Sequence, residues 1–474
     1  MSFFIGRGYV QGMKDISFVR VSAGVLAVCL GIFLINIHDA RGADATWEAG
    51  AASVKITPQK PVVMSGYASR TKPFERVELD LYAKALALDD GAGHRGVIIT
   101  MDLIGLSAAI AEPVCQRISE KTGLKREQIL LNFAHNHAGP VLSLGPKEET
   151  DDPKPAAETI EYTKWMMDQL VDVVTKAQGN LAPAKLSWGT GVANLVMNRR
   201  EFTANGVILG VNARGPADRC VPVLRVEDQA GKLKAVLFGC ACHNTTLGPS
   251  NYVICGDYAG FAQATIEERE QGVVALFAIG CGGDANPYPR NSMEAAKQNG
   301  KELGDEVCRA LQSGKLTAIS GPLTTVFDYV NLPLKSVTRQ ELAQLAEKSP
   351  GWQMGNAKTM LAMLDKGQKL PTTYRAPVGV WQFGKQLTMV AMSGEVVVDY
   401  VQAVEKAIGP LNLWPMGYCN DYFGYLPSAR VIEEGGYENR GLNSGTGWFS
   451  GEAQWMMVGT VKELAARAGR PMPE

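Results

Sequence analysis

The sequence predicts an α/β protein of layered, mixed β-sheets with flanking helices, and three observations carry that prediction. Short apolar runs of strand length alternate along the chain with longer stretches of helical periodicity. One pair of runs is joined by Asp228-Gln229-Ala230-Gly231, a hairpin turn, so some strands pair antiparallel. Several runs end on His, Asp or Glu, which puts polar side chains at strand C-termini, where layered α/β folds collect ligands.

The strand-like runs are 96–106, 128–135, 221–226, 233–243, 272–280 and 386–393. Helical spacing marks 156–178, 259–271, 293–312, 396–408 and 452–468. No clear linker divides them. The segment 335–371, mostly helical and polar, is expected to form a cap or side lobe, and the Gly-, Ser- and Asn-rich run 441–451 a mobile loop. The 474 residues suffice for one large core. The net charge of −1 offers no basic surface for nucleic acid.

The N-terminus differs from the rest. Lys14 and Arg20 precede an apolar run, 21–37, followed by Ala43-Asp44-Ala45. This reads as a signal peptide over 1–45 with a small-x-small cleavage site, so that 46–474 is one exported domain. The alternative is an uncleaved membrane anchor, since the run is about as long as the shortest spanning helix. Either reading puts the folded part outside the cytoplasm. Cys29 leaves with the signal. Eight other cysteines are scattered without a CxxC pair, and buried thiols or disulfides are both open.

Chemistry concentrates on the histidines. The run 128–134 ends in His135-Asn136-His137, and 234–242 ends in His243-Asn244. Successive strand side chains alternate faces, so His135 and His137 point the same way. Two more runs end in Gly283-Asp284-Ala285-Asn286 and Ser393-Gly394-Glu395. Imidazole with carboxylate suits Zn²⁺ with a position left for water. Spacing does not choose among Glu395, Asp284, Asp257 and Asp102 for the carboxylate. His94, which follows Gly91-Ala92-Gly93, is expected to lie in a turn as an exposed bystander. Trp381, Trp414 and Trp448 are read as core residues before walls of a lipid groove.

Taken together, these residues resemble the neutral, non-lysosomal ceramidase family. The stretch 49–58 and the segment Met64-Ser65-Gly66-Tyr67-Ala68-Ser69 resemble the family's opening strand and its G-Y-A element. His135-Asn136-His137-Ala138-Gly139-Pro140 resembles its H-T-H-x-G-P motif, Asn198-Arg199 its N-R pair and Gly394-Glu395 its G-E element. Tyr425 and Tyr437-Glu438 follow in the family's order.

The resemblance implies a zinc-dependent amidohydrolase acting on an N-acyl lipid such as ceramide, with possible contact at a membrane surface. It implies His135, His243, Glu395 and Tyr425 as zinc ligands, with His137, Arg199 and Tyr437 facing the scissile carbonyl. Zinc lowers the pKa of bound water towards roughly 7, and positioned donors stabilise the oxyanion. Two departures stand out. Asn286 occupies the place of a family serine, and an amide cannot act as a nucleophile. The chain also reaches Glu474 soon after the last motif, where the family usually continues into a C-terminal β-sandwich, so the likeness is to the catalytic domain. Another amide, an ester or a lactone is the alternative substrate, and a non-catalytic lipid- or metal-binding module the alternative function.

Overall fold

The computed structural model describes residues 47–145, 156–349 and 351–473. The apolar N-terminal run, its cleavage site and Cys29 lie outside these. The larger sheet contains β1 (Trp47–Lys55), β2 (Tyr82–Asp89), β3 (Arg95–Met101), β4 (Ile129–Phe133), β5 (Ala182–Val192), β6 (Cys220–Asp228), β7 (Leu233–Cys240) and β8 (Val274–Ile279). The order across it is β8-β7-β6-β5-β1-β2-β3-β4, with the short strand Thr317–Ile319 added beside β5. The outer pairs β7–β8 and β3–β4 are parallel and the inner pairs antiparallel. A second sheet contains β9 (Leu323–Pro333), β10 (Thr373–Phe383), β11 (Leu387–Met392) and β12 (Leu413–Met416), in that order.

The two sheets stack, and helices cover both outer surfaces. One face of the larger sheet packs on α1 (Ala108–Thr122), α2 (Ala157–Gly179), α3 (Asp257–Arg269) and α4 (Met293–Gln312). Its other face, through Leu86, Ile98, Leu237 and Leu276, meets Trp381, Phe383, Met389 and Trp414 of the second sheet. The far side of that sheet buries α7 (Asp399–Ile408) and α9 (Glu452–Arg467), while α8 (Ala429–Glu434) contributes Val431 to the same core. This layering explains the apolar runs. A strand covered on both faces cannot show polar alternation, and β3, β4, β7 and β11 are almost wholly buried.

Trp381 and Trp414 therefore sit between the sheets. A Cβ on Gly96 of β3 would come within 2.5 Å of the Trp381 ring, so the glycine makes room for the indole. The segment expected as a side lobe forms α5 (Arg339–Lys348) and α6 (Gly351–Asp365) around a small core of Leu342, Ala357, Met360 and Trp448. The glycine-rich run beyond Gly441 is not a free loop. Leu442 N–H donates to Gly447, Lys335 N–H to Trp448 and Ser450 N–H to Pro333. All eight cysteines from Cys115 to Cys419 are free thiols, seven of them buried. Among the described residues no helix is long and apolar enough to cross a membrane.

One contact decides where the site forms. β4 and β8 are opposite edges of the larger sheet, yet Asn132 on β4 joins them. Its amide donates to Ile279 O (3.2 Å) and accepts from Ile279 N–H (2.8 Å), and it also donates to Gly417 O (3.0 Å). The sheet thus curls until its edges meet, with the chain after β12 laid against the seam. The segments leaving β4, β7, β8, β11 and β12 all emerge beside one another.

Candidate metal centre

The strands end earlier than the apolar runs suggest, and that changes how the histidines converge. β4 stops at Phe133, and His135 has a left-handed backbone (φ 55°). His135 and His137 face one another through a turn, not through strand alternation. β7 likewise stops at Cys240. Beyond both strands, Asn136 and Asn244 form a parallel bridge, and His137 N–H donates to Asn244 O (3.2 Å). The two asparagine side chains tie this turn down: Asn136 donates to Asp102 O and Cys255 O, and Asn244 donates to Ala134 O.

Each of two imidazoles is oriented by a backbone carbonyl. His135 Nδ1 lies 2.9 Å from Ile104 O, and His243 Nδ1 lies 2.7 Å from Gly282 O. A carbonyl only accepts, so each Nδ1 carries the hydrogen, and in the neutral ring Nε2 is a bare lone pair. Both Nε2 atoms point at Glu395 Oε2, at 3.1 Å and 3.0 Å. His243 Nε2 is 3.2 Å from the Tyr425 hydroxyl, and His137 Nε2 is 3.0 Å from His135 Nε2. Burial first, with the neighbouring Arg199 charge, pushes His243 down to about 3. Burial and the other two imidazoles hold His137 well below its ordinary value. Burial pulls the Glu395 carboxyl up, but the imidazoles outweigh it and leave it well below the usual carboxylate range.

The Nε2 atoms of His135 and His243 and Oε2 of Glu395 therefore converge on one buried point with no hydrogen on any of the three, an arrangement that suits a cation. The spacing agrees. Ligands roughly 2.0–2.1 Å from a tetrahedral zinc are about 3.3 Å from one another, close to the 3.0–3.2 Å separations here. Ligating atoms of His135, His137 and His243 all lie within 4.8 Å of each other. The donor set fits a metal ion.

The other acids are occupied elsewhere. Asp102 accepts from Tyr82 N–H and Gln263. Asp257 caps Thr246, Leu247 and Tyr258 N–H groups, and Asp284 accepts from Val398 N–H and Asn198. His94 is exposed and pairs with Asp90.

Behind Tyr425 lies a buried charge network. Arg199 donates to the Tyr425 hydroxyl (2.8 Å), Glu438 (2.9 Å) and Asn286 Oδ1 (3.3 Å), and Arg200 also reaches Glu438 (2.6 Å). Thr245 donates to the same Asn286 oxygen. The N-R and Y-E elements thus meet through Arg199–Glu438. Arg199 is 4% exposed and does not line the cleft in front of the histidines. Arg440 does, 3.8 Å from Glu395 Oε1 and against the rings of Tyr425, Tyr437 and Trp352.

That cleft has a volume of about 520 Å³ and holds His137, Glu395, Tyr425 and Tyr437 in its wall. Nδ1 of His137 is buried without a partner. Gly66 (φ 92°) lies against this ring, where a Cβ would fall 2.4 Å from Nδ1, and Tyr67 packs edge-on at 5.0 Å. Only the resemblance, through the segment 64–69, pointed to these two. Trp352 and Arg440 had no signal in the sequence, because a tryptophan on a polar helix and an arginine in a turn carry no motif.

Fold and site define a layered α/β protein with a buried candidate metal centre of imidazoles and one carboxylate at strand ends. The family model for the neutral/alkaline non-lysosomal ceramidase N-terminal domain matches residues 47–357. The chain belongs to that family. Neutral ceramidase A of Dictyostelium discoideum is 23% identical over 282 residues, 54% of this chain and 38% of that protein. Neutral ceramidase B of the same organism is 24% identical over 272 residues, 52% of this chain and 36% of that protein. The matched stretch is thus under two fifths of these relatives' length. Among solved structures, a ceramidase complexed with C2 superposes with a TM-score of 0.69 at 20% identity, covering 91% of this chain and 77% of that one. Neutral ceramidase from Pseudomonas aeruginosa gives 0.67 at 22% identity, covering 91% and 76%.

Proposed function

We propose that this protein is a zinc-dependent hydrolase of an N-acyl lipid such as ceramide, releasing a fatty acid and an amine. The observation that carries the reading is the meeting of two carbonyl-anchored imidazoles and an ionised carboxylate at one buried point, with no hydrogen on any of the three facing atoms. His135, His243, Glu395 and Tyr425 would hold the ion. A zinc ion there would supply Lewis acidity and lower the pKa of a bound water to roughly 7. His137, neutral and in the cleft wall, is placed to take a proton from the attacking water and hand it to the leaving amine. Tyr437 and Arg440 donate towards the carbonyl oxygen from the cleft wall. Arg199 is a positioning residue that fixes the Tyr425 phenol and Asn286 from behind. The close three-imidazole group supports a second ligand set, with His137 in place of Tyr425. Zinc content of His137→Ala and Tyr425→Phe separates the two sets.

Asn286, where the family has a serine, favours weighing a second substrate class: an ester, a lactone or a short acyl-amide hydrolysed at the same centre. The experiment is product analysis with N-acyl-sphingosine and an ester and lactone panel, with and without a chelator. Chelator-sensitive release of fatty acid is expected. Cleavage that persists after complete metal removal sinks the mechanism, and binding without turnover of any substrate would leave a lipid- or metal-binding module. The N-terminal run supports work outside the cytoplasm; a mature N-terminus near Thr46 on exported protein is the corresponding test.

A further inference from the structure

Between Arg199 and the next strand of the larger sheet, the chain makes a separate two-stranded hairpin, Arg200–Thr203 with Gly206–Leu209, that joins neither sheet. Its outer part reads Phe202-Thr-Ala-Asn-Gly-Val-Ile-Leu-Gly-Val211, ten residues without a charge. Phe202, Ile208, Leu209 and Val211 are 59%, 49%, 48% and 50% exposed. Cross-strand pairing sets Phe202 opposite Val207 and Glu201 opposite Ile208, so apolar side chains occupy both faces. An isolated hairpin in water gains nothing from such a surface, and apolar patches of this kind mark interaction sites. Glu201, the nearest acid, is turned back onto the base, where Oε2 accepts from Val211 N–H.

The finger stands beside the cleft. Val207 packs at Gly436, the residue before Tyr437, and Tyr437 and Arg440 connect to Trp352 at the cleft wall. Gly210 N–H donates to Arg199 O, so the finger's base is continuous with the network behind Tyr425. Arg214, exposed just past the finger, has no carboxylate partner among the described residues.

We propose that this finger inserts into an anionic phospholipid surface, Arg214 meeting headgroups, and sets the cleft mouth against the bilayer from which the substrate is drawn. The finger's purpose rests on the lipid-amide reading proposed above; its geometry does not. An uncharged tip with a cation at its base matches an interface that is apolar inside and negatively charged outside.

The test is backbone hydrogen exchange of the full chain with phosphatidylglycerol-containing vesicles, read at 202–211 so that the N-terminal apolar run cannot supply the signal. Slowed exchange there is expected on vesicles only. Phe202→Ser and Leu209→Ser should each lower vesicle affinity by roughly tenfold or more. Both should cut turnover of vesicle-borne N-acyl-sphingosine while leaving zinc content and hydrolysis of a soluble short-chain substrate unchanged. Vesicle-bound protein with unprotected 202–211 overturns the proposal, as does protection that follows protein concentration without lipid. Protection without hydrolysis of any N-acyl substrate supports the finger and removes the function proposed above.

Discussion

The two sheets contribute to the centre differently. The larger sheet delivers His135 and His243, and each ring is fixed by a backbone carbonyl and by the asparagine-laced turn beside it. The second sheet and the chain after it deliver Glu395 and Tyr425, whose backbones pair side by side. Their polar ends touch only other site groups: imidazoles and Arg440 for the carboxylate, Arg199 and His243 for the phenol. The first half is preorganised by the fold, and the second half is held by the charges it serves. Losing a cation should therefore loosen one half and spare the other.

The largest effect is expected of His243→Ala, which removes a proposed ligand from the rigid half. Bound zinc and hydrolysis should both fall to background, measured by metal analysis and turnover on the same sample. Full activity without zinc would refute the centre. Next is Tyr437→Phe, which keeps the ring and removes one cleft donor; kcat should fall by roughly 10²–10³ with zinc retained. A third variant, Asn244→Ala, cuts the lacing behind the rigid half without touching a ligand. Zinc affinity should weaken by about 10–100-fold, as for groups that orient ligands. If it does not, the fold orients the rings without this side chain. Chelation alone should then speed hydrogen exchange around Glu395 and Tyr425 more than around His243.

The smallest effect concerns pH and the second sheet. Burial pushes Asp421 up to about 6, against which its bond from the Tyr374 hydroxyl pulls down. The folded state thus holds this proton more tightly than the unfolded chain, whose value is near 3.8. Its contribution to stability is lost as pH rises from about 4 through 6 and stays lost above. Asp421→Asn should flatten that part of the melting curve against pH, by an effect on the order of 1–3 kcal/mol. An unchanged pH dependence would show that Asp421 titrates normally.

Much of this was legible in the sequence. The runs 221–226 and 272–280 became β6 and β8 within a residue or two, and 293–312 is α4. The helix α1 and the long strands β9 and β10 gave no usable pattern. β9 is half-exposed over most of its length, and the buried part of β10, Ala376–Phe383, is interrupted by Pro377 and Gly379, so neither alternation nor a strand-forming apolar run marks them. Strand ends were placed too late at His135 and His243 because apolar burial continues past the last ladder hydrogen bond. Cysteine pairing stayed open in the sequence, since spacing does not report which thiols are covered.

The stock of chemistry is written in the sequence: five histidines, three of them at the ends of apolar runs, and acids at the ends of two more. The sequence also determined the layered α/β class, because burial on two faces and helical periodicity are local properties. Only the tertiary structure decided that Glu395 and not Asp102, Asp257 or Asp284 faces the imidazoles, that Arg440 lines the cleft while Arg199 stands behind it, and that β4 meets β8. Those choices depend on which backbone N–H groups already occupy each carboxylate and on how far a sheet curls. The curl is set by contacts such as Asn132 with Ile279, 147 residues apart, and the N–H groups that occupy Asp102 and Asp257 come from turns whose placement only the packed fold fixes.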